Sequence, residues 1–188
     1  MKTLAVIVAF AMVLAVQARA FAQETTPTPD PLTYDDPAMH YEAPAGAVLL
    51  SPMQHVALSD LSQDPTAVAT WAVGRGEDAK FISIIMESYT GDLDGFDSTY
   101  ENSLRESDPA TLVKHKEHAL LANGMPALFL DVTQGAGFST RKVYAYIWID
   151  SQRAVVLTVQ AHLGALDEAS AKQLLAGATA VRYPTDQP

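Results

Sequence analysis

The chain has 188 residues, 48% of them hydrophobic, no cysteine and a formal net charge of −10. Without cysteine there are no disulfides, no thiolate metal ligands, no cysteine-linked lipid and no thiol catalysis. The acidic balance argues against nucleic-acid binding, since Arg141-Lys142 and Lys114-x-Lys116 are pairs, not stripes, and such a surface repels polyanions over about 10 Å.

In chain order, residues 1–22 read as a signal peptide. Lys2 gives a positive start, Leu4–Val16 an apolar run, and Ala20-Phe21-Ala22 a small-x-small cleavage site before Gln23. The run is shorter than the roughly 20 residues a membrane span needs, so no membrane insertion is expected after cleavage. The mature protein is then expected to be periplasmic or secreted. Losing Lys2 and Arg19 takes the charge from −10 to −12 and leaves roughly 165 residues, enough for one domain. Gln23–Ala38 reads as a Pro/Thr-rich linker, because Thr25-Thr26-Pro27-Thr28-Pro29-Asp30-Pro31 favours extended chain that buries nothing. A single domain is expected over residues 39–184, with a tail at 185–188.

Within that domain, Met39–Ala43 and Ala47–Leu50 read as short strands around Pro44-Ala45-Gly46. Ser51–Pro65 reads as loop with a helical turn near Leu58–Leu61. Ala67–Val73 and Phe81–Tyr89 read as strands flanking Gly74-Arg75-Gly76-Glu77-Asp78. Phe96, Tyr100 and Leu104 make a helical stripe, with Asp94 or Asp97 as the expected N-cap and Pro109 beyond the end. Three extended segments follow. Thr111–Ala122 leads through Asn123-Gly124 into Met125–Gln134, then Lys142–Ile149, a turn at Asp150–Arg153, and Ala154–His162. In Val143–Ile149 the odd positions are aliphatic and the even ones, Tyr144, Tyr146 and Trp148, aromatic, as an interior strand covered on both faces requires. A second helix is expected from the N-cap Asp167 through Ala171, Leu174 and Leu175, with Gly177 at its C-terminus. Ala178 is claimed both by that helix and by an extended tail to Tyr183. The fold class is α+β, a largely antiparallel sheet with helices packed on it.

The order of elements and several motifs resemble the PsbP-like superfamily, including the DcrB-like envelope proteins of bacteria. The residues concerned are Tyr41-Glu42-Ala43-Pro44-Ala45-Gly46, the strand Phe81–Met86 before a helix, Asn123-Gly124-Met125-Pro126-Ala127 opening a strand, the hairpin Val143–Val159, and the helix Asp167–Ala176. The pattern departs at Ala47-Val48-Leu49, where a Trp often follows the Pro-x-Gly. The resemblance implies an α/β/α sandwich and an accessory, assembly or binding role. It offers no common catalytic set to transfer.

Residues that could carry chemistry have simpler structural readings. Asp92-Leu93-Asp94-Gly95-Phe96-Asp97 holds carboxylates on a turn, but Gly95 and Phe96 break the EF-hand spacing, so helix capping is expected instead of Ca²⁺. His115 and His118 would share a helical face, but on a strand they point to opposite faces, which defeats chelation. Gln134-Gly135-Ala136-Gly137-Phe138 lacks the lysine and the helix of a phosphate loop. No Gly-x-Ser-x-Gly or His-Glu-x-x-His occurs. The aromatic face Tyr144, Tyr146, Trp148 is expected to be core, the alternative being a binding platform. No catalytic residue, metal ligand or cofactor is therefore assigned, and the binding residues stay open. The expected function is a non-catalytic accessory, binding or assembly protein of the bacterial envelope, with a protein or small ligand as partner. The alternative is a small exported hydrolase with a site assembled from distant residues.

Overall fold

Strand-length runs of seven to ten residues, the central ones apolar on both faces, build this molecule, and they build mostly sheet. The computed structural model describes residues 32–50, 67–150 and 152–180, which belong to one compact unit. The signal peptide, the Pro/Thr run, the Ser51–Pro65 loop and the tail lie outside the described residues. Among the described residues ten strands and two α-helices follow in order: β1 Thr33–Asp36, β2 Met39–Glu42, β3 Val48–Leu49, β4 Ala67–Val73, β5 Lys80–Ser88, α1 Leu93–Ser107, β6 Leu112–Leu120, β7 Pro126–Gln134, β8 Arg141–Asp150, β9 Arg153–His162, α2 Glu168–Leu175 and β10 Ala178–Ala180. Seven strands form one antiparallel sheet in the order β3-β4-β5-β9-β8-β7-β6, and β1-β2-β10 form a small second sheet.

The alternation in β8 divides two cores. Tyr144 and Trp148 face Trp71, Ile82, Ile84, Phe129, Leu157, Val159, Ala171 and Leu175, beneath α2 and the small sheet. Val143, Ala145 and Ile147 face Ile85, Phe96, Leu128, Leu130 and Val156, beneath α1. The sheet is covered on both faces, and the fold is α+β with helices on either side. The aromatic face is core: Trp148 is wholly buried, Tyr144 nearly so, and Tyr146 half-buried.

The structure corrects some of these expectations and decides others. The linker expected through Ala38 overlaps the fold, because Thr33–Asp36 pairs antiparallel with Met39–Glu42 and Ala38 is fully buried. The N-cap of α1 is Asp92, not Asp94 or Asp97. Its Oδ1 accepts from the Gly95 N–H at 2.8 Å, which starts the helix earlier than the apolar stripe suggests. Gly177 follows the C-cap Ala176, as expected, but without a positive φ; a Cβ there would overlap the Glu42 carbonyl, so the glycine permits close backbone approach, with Glu42 N–H donating to Gly177 O at 3.3 Å. Ala178 belongs to β10, which pairs with β2. The Asn123-Gly124 turn is longer than a two-residue hairpin: Leu121 N–H donates to Met125 O at 2.9 Å across it, with Gly124 at φ 80°.

Candidate binding edge and its charge clusters

The outermost strand of the large sheet, β6, reads Leu-Val-Lys-His-Lys-Glu-His-Ala-Leu, and its composition explains its place. A strand with so little apolar content cannot line both cores, so it sits at the rim, paired with β7 on its inner side only among the described strands. A bulge falls between Val113 and His115. Alternation then sends Lys116 toward α1 and Glu117 toward α2.

On the α1 side, Lys116 Nζ donates to Asp97 Oδ2 at 2.5 Å and to Glu101 Oε1 at 2.9 Å, and Arg105 also donates to Glu101. Burial would raise the Glu101 carboxyl, but the hydrogen bonds from Lys116 and Arg105 outweigh it and hold it below the usual range. Hydrogen bonding to Asp97, then to Glu101, pushes Lys116 up. On the α2 side, Lys172 Nζ donates to Glu117 at 2.9 Å, pairs with Glu168 at 2.8 Å, and lies 4.5 Å above the Phe129 ring. The Glu168 and Glu117 carboxylates raise Lys172, and Lys172 in turn lowers Glu117. Further in, Lys142 is buried against Asp131 and lies 4.9 Å from the Tyr144 ring. Burial, reinforced by Asp131, Glu168 and Asp167, pushes the Tyr144 phenol up to about 12.

These shifts run away from neutrality. A general acid or base works best with a pKa near the ambient pH, whereas these lysines, tyrosines and glutamates are locked in one protonation state. One described carboxyl moves toward neutrality instead: Asp150, raised by burial at the far end of β8 beside Arg153 and Asp36. No histidine is paired with it.

The other candidates disperse. Asp92 caps α1, Asp97 is buried against Lys116, and Asp94 stays in the first turn, so the acidic loop does not converge. His115 stands opposite Asp131 and His118 opposite Leu128, on different faces of the sheet. His115 lies 3.4 Å from Glu117 and His40 pairs with Asp35. Among the described residues no group of three or more His, Asp or Glu gathers as a metal site. The serine hydroxyls go elsewhere than to histidine: Ser83 meets Thr70, and Ser98, Ser107 and Ser139 meet backbone carbonyls. Gly135 stands against Ser139 backbone and its N–H donates to Asp108, so the glycine loop serves a strand connection. What the sequence reading missed is the rim position of this strand. Its only signal was Lys114, His115, Lys116 and His118 in a chain of opposite charge.

Sheet order, helices on both faces and the small closing sheet define a PsbP-like fold. Comparison with solved structures returns 22 matching chains. One is the solution structure of cyanobacterial PsbP (CyanoP) from Synechocystis sp. PCC 6803, with a TM-score of 0.58 at 10% identity, covering 79% of this chain and 91% of that one. Another is the crystal structure of PA94 from Pseudomonas aeruginosa, a protein of unknown function, with a TM-score of 0.45 at 13% identity, covering 77% and 92%. No family model and no curated protein matches the sequence. At these identities the likeness is one of fold. No described helix is long and apolar enough to cross a membrane.

Proposed function

We propose that the protein is an exported, non-catalytic accessory protein of the bacterial envelope that acts by binding a partner, a role of the kind the DcrB-like resemblance suggests. One observation carries the non-catalytic part. The ion-paired clusters on both faces of β6, and the Tyr144 phenol further in, have pKa values that move away from neutrality. The PsbP-like fold is compatible with such a role, although a fold by itself does not determine function. The leader Met1–Ala22 supports export. The hydrolase alternative draws no support from His40 and His115, which meet carboxylates, or from Ser83, Ser98, Ser107 and Ser139, which meet a hydroxyl or backbone.

The test is made in cells. After osmotic shock, the protein is expected in the released fraction with Gln23 at its N-terminus, and in-cell crosslinking is expected to give one discrete adduct. Purified protein is expected to turn over nothing in a panel of esters, peptides and glycosides. A chain retained inside with its leader, or turnover abolished by a single His or Asp substitution, would overturn the reading.

A further inference from the structure

The two edges of the large sheet are treated differently. At one end β3 is two residues long, one of the ways proteins blunt an edge against pairing. At the other end β6 is nine residues long, and no described strand lies beyond it. Roughly half of its backbone N–H and C=O groups point outward, as in any strand paired on one side. Leu112 and Leu120, at its two ends, are 56% and 69% exposed. Apolar ends of this kind are out of place on an edge built only to repel.

Charge indicates what the edge would accept. Lys114, Lys116 and Glu117 give β6 a net charge of +1, against −11 for the rest of the chain. Lys116 and Glu117 are committed to α1 and α2. Lys114 and His118 are exposed and make no ion pair or hydrogen bond among the described residues. A second copy is a poor fit. Antiparallel pairing centred on Lys116 would set Lys116 against itself, and like charges directly opposite are destabilising. The ties to α1 and α2 also hold the strand in shape beforehand, which lowers the ordering cost of adding another.

We infer that the outer edge of β6 docks an extended, acidic segment of a partner protein, which adds to the large sheet as an eighth strand. The addition supplies main-chain hydrogen bonds along β6, and carboxylates of the segment meet Lys114 and His118. The inference rests on the binding role proposed above and names its surface and the chemistry of its partner.

The probe is a synthetic ten-residue peptide alternating Glu with Val or Thr, compared with the same peptide carrying Lys for Glu. Binding is read by fluorescence anisotropy and by amide NMR shifts of the mature protein. The acidic peptide should bind saturably, weaken as salt rises, and move amides of β6 before others. The double variant Lys114→Glu/His118→Glu should weaken it by about tenfold or more, as charge reversal at a docking edge does, while leaving the urea midpoint unchanged. Lys114→Arg should retain binding. Equal binding of the basic peptide, no binding of the acidic one, or shifts centred away from β6 would overturn the inference. So would dimerisation of the protein that the double variant abolishes, because the occupant would then be a second copy. If the in-cell adduct persists in the double variant, the edge is overturned while the binding role stands; if no adduct forms in the wild type, that role falls first.

Discussion

Trp148 lies wholly buried opposite Val155 on β9, in the core beneath α2 and the small sheet. Trp148→Ala should open a cavity costing about 3–5 kcal/mol. Tyr146→Ala, from a half-buried position on the same face, should cost less. Urea midpoints order the two, and an unchanged midpoint for Trp148→Ala would mean the face is not core. Asp150 makes the opposite point. It is buried, its Oδ2 has no partner, and burial raises it above the ordinary 3.8. A carboxyl whose folded pKa is raised binds its proton more tightly in the folded state. Its contribution is therefore most favourable below 3.8 and is lost as pH rises through the folded value. Asp150→Asn should be more stable than wild type near pH 7, with the gain shrinking toward about pH 3. A less stable Asn variant at pH 7 would show that Arg153 more than compensates the charge.

At the scale of elements, α1 is held by its cap and by β6. Asp92→Ala should cost about 1 kcal/mol and Asp94→Ala only a few tenths, since Asp92 alone accepts from the Gly95 N–H. Lys116→Ala would strand Asp97, whose Oδ1 is buried without a partner and whose Oδ2 has only Lys116, at about 1–3 kcal/mol. Pairing it with Asp97→Asn should recover much of the loss, and chemical denaturation of the three variants measures that coupling. These elements also show what a sequence can reveal. Val143–Ile149 was legible as interior strand because its two alternating apolar faces leave no other home for it. β1 was not: Thr33-Tyr34-Asp35-Asp36 is polar and follows a proline run, and becomes strand only because Met39–Glu42 folds back on it. Asp92 lost out to its neighbours in the reading because the helix start depends on Gly95 lying against Tyr89 and Asp92, a tertiary fit that periodicity does not record. The rim position of β6 was hidden for the same reason, since sheet order is a property of pairing across the chain.

For the whole molecule, the sheet order ranks stability. β5, β9 and β8 are interior strands rich in buried residues, while β6 and β3 end the sheet. Amide exchange should be slowest in β9 and its two neighbours and fastest at β6 and β3; protection of β6 equal to that of β9 in the isolated protein would contradict this order. One further consequence lies in the small sheet. β2 is held between β1, which precedes it, and β10, near the end of the described chain, and the Tyr41 hydroxyl donates to Leu174 O across 133 positions. Ribosomes make the amino end first, so Met39 and Tyr41 must wait for α2 and β10 to be made before their partners there exist. Until then the nascent chain lacks its clasp and stays open. Closure becomes an event of arrival, completed only once β10 has been made.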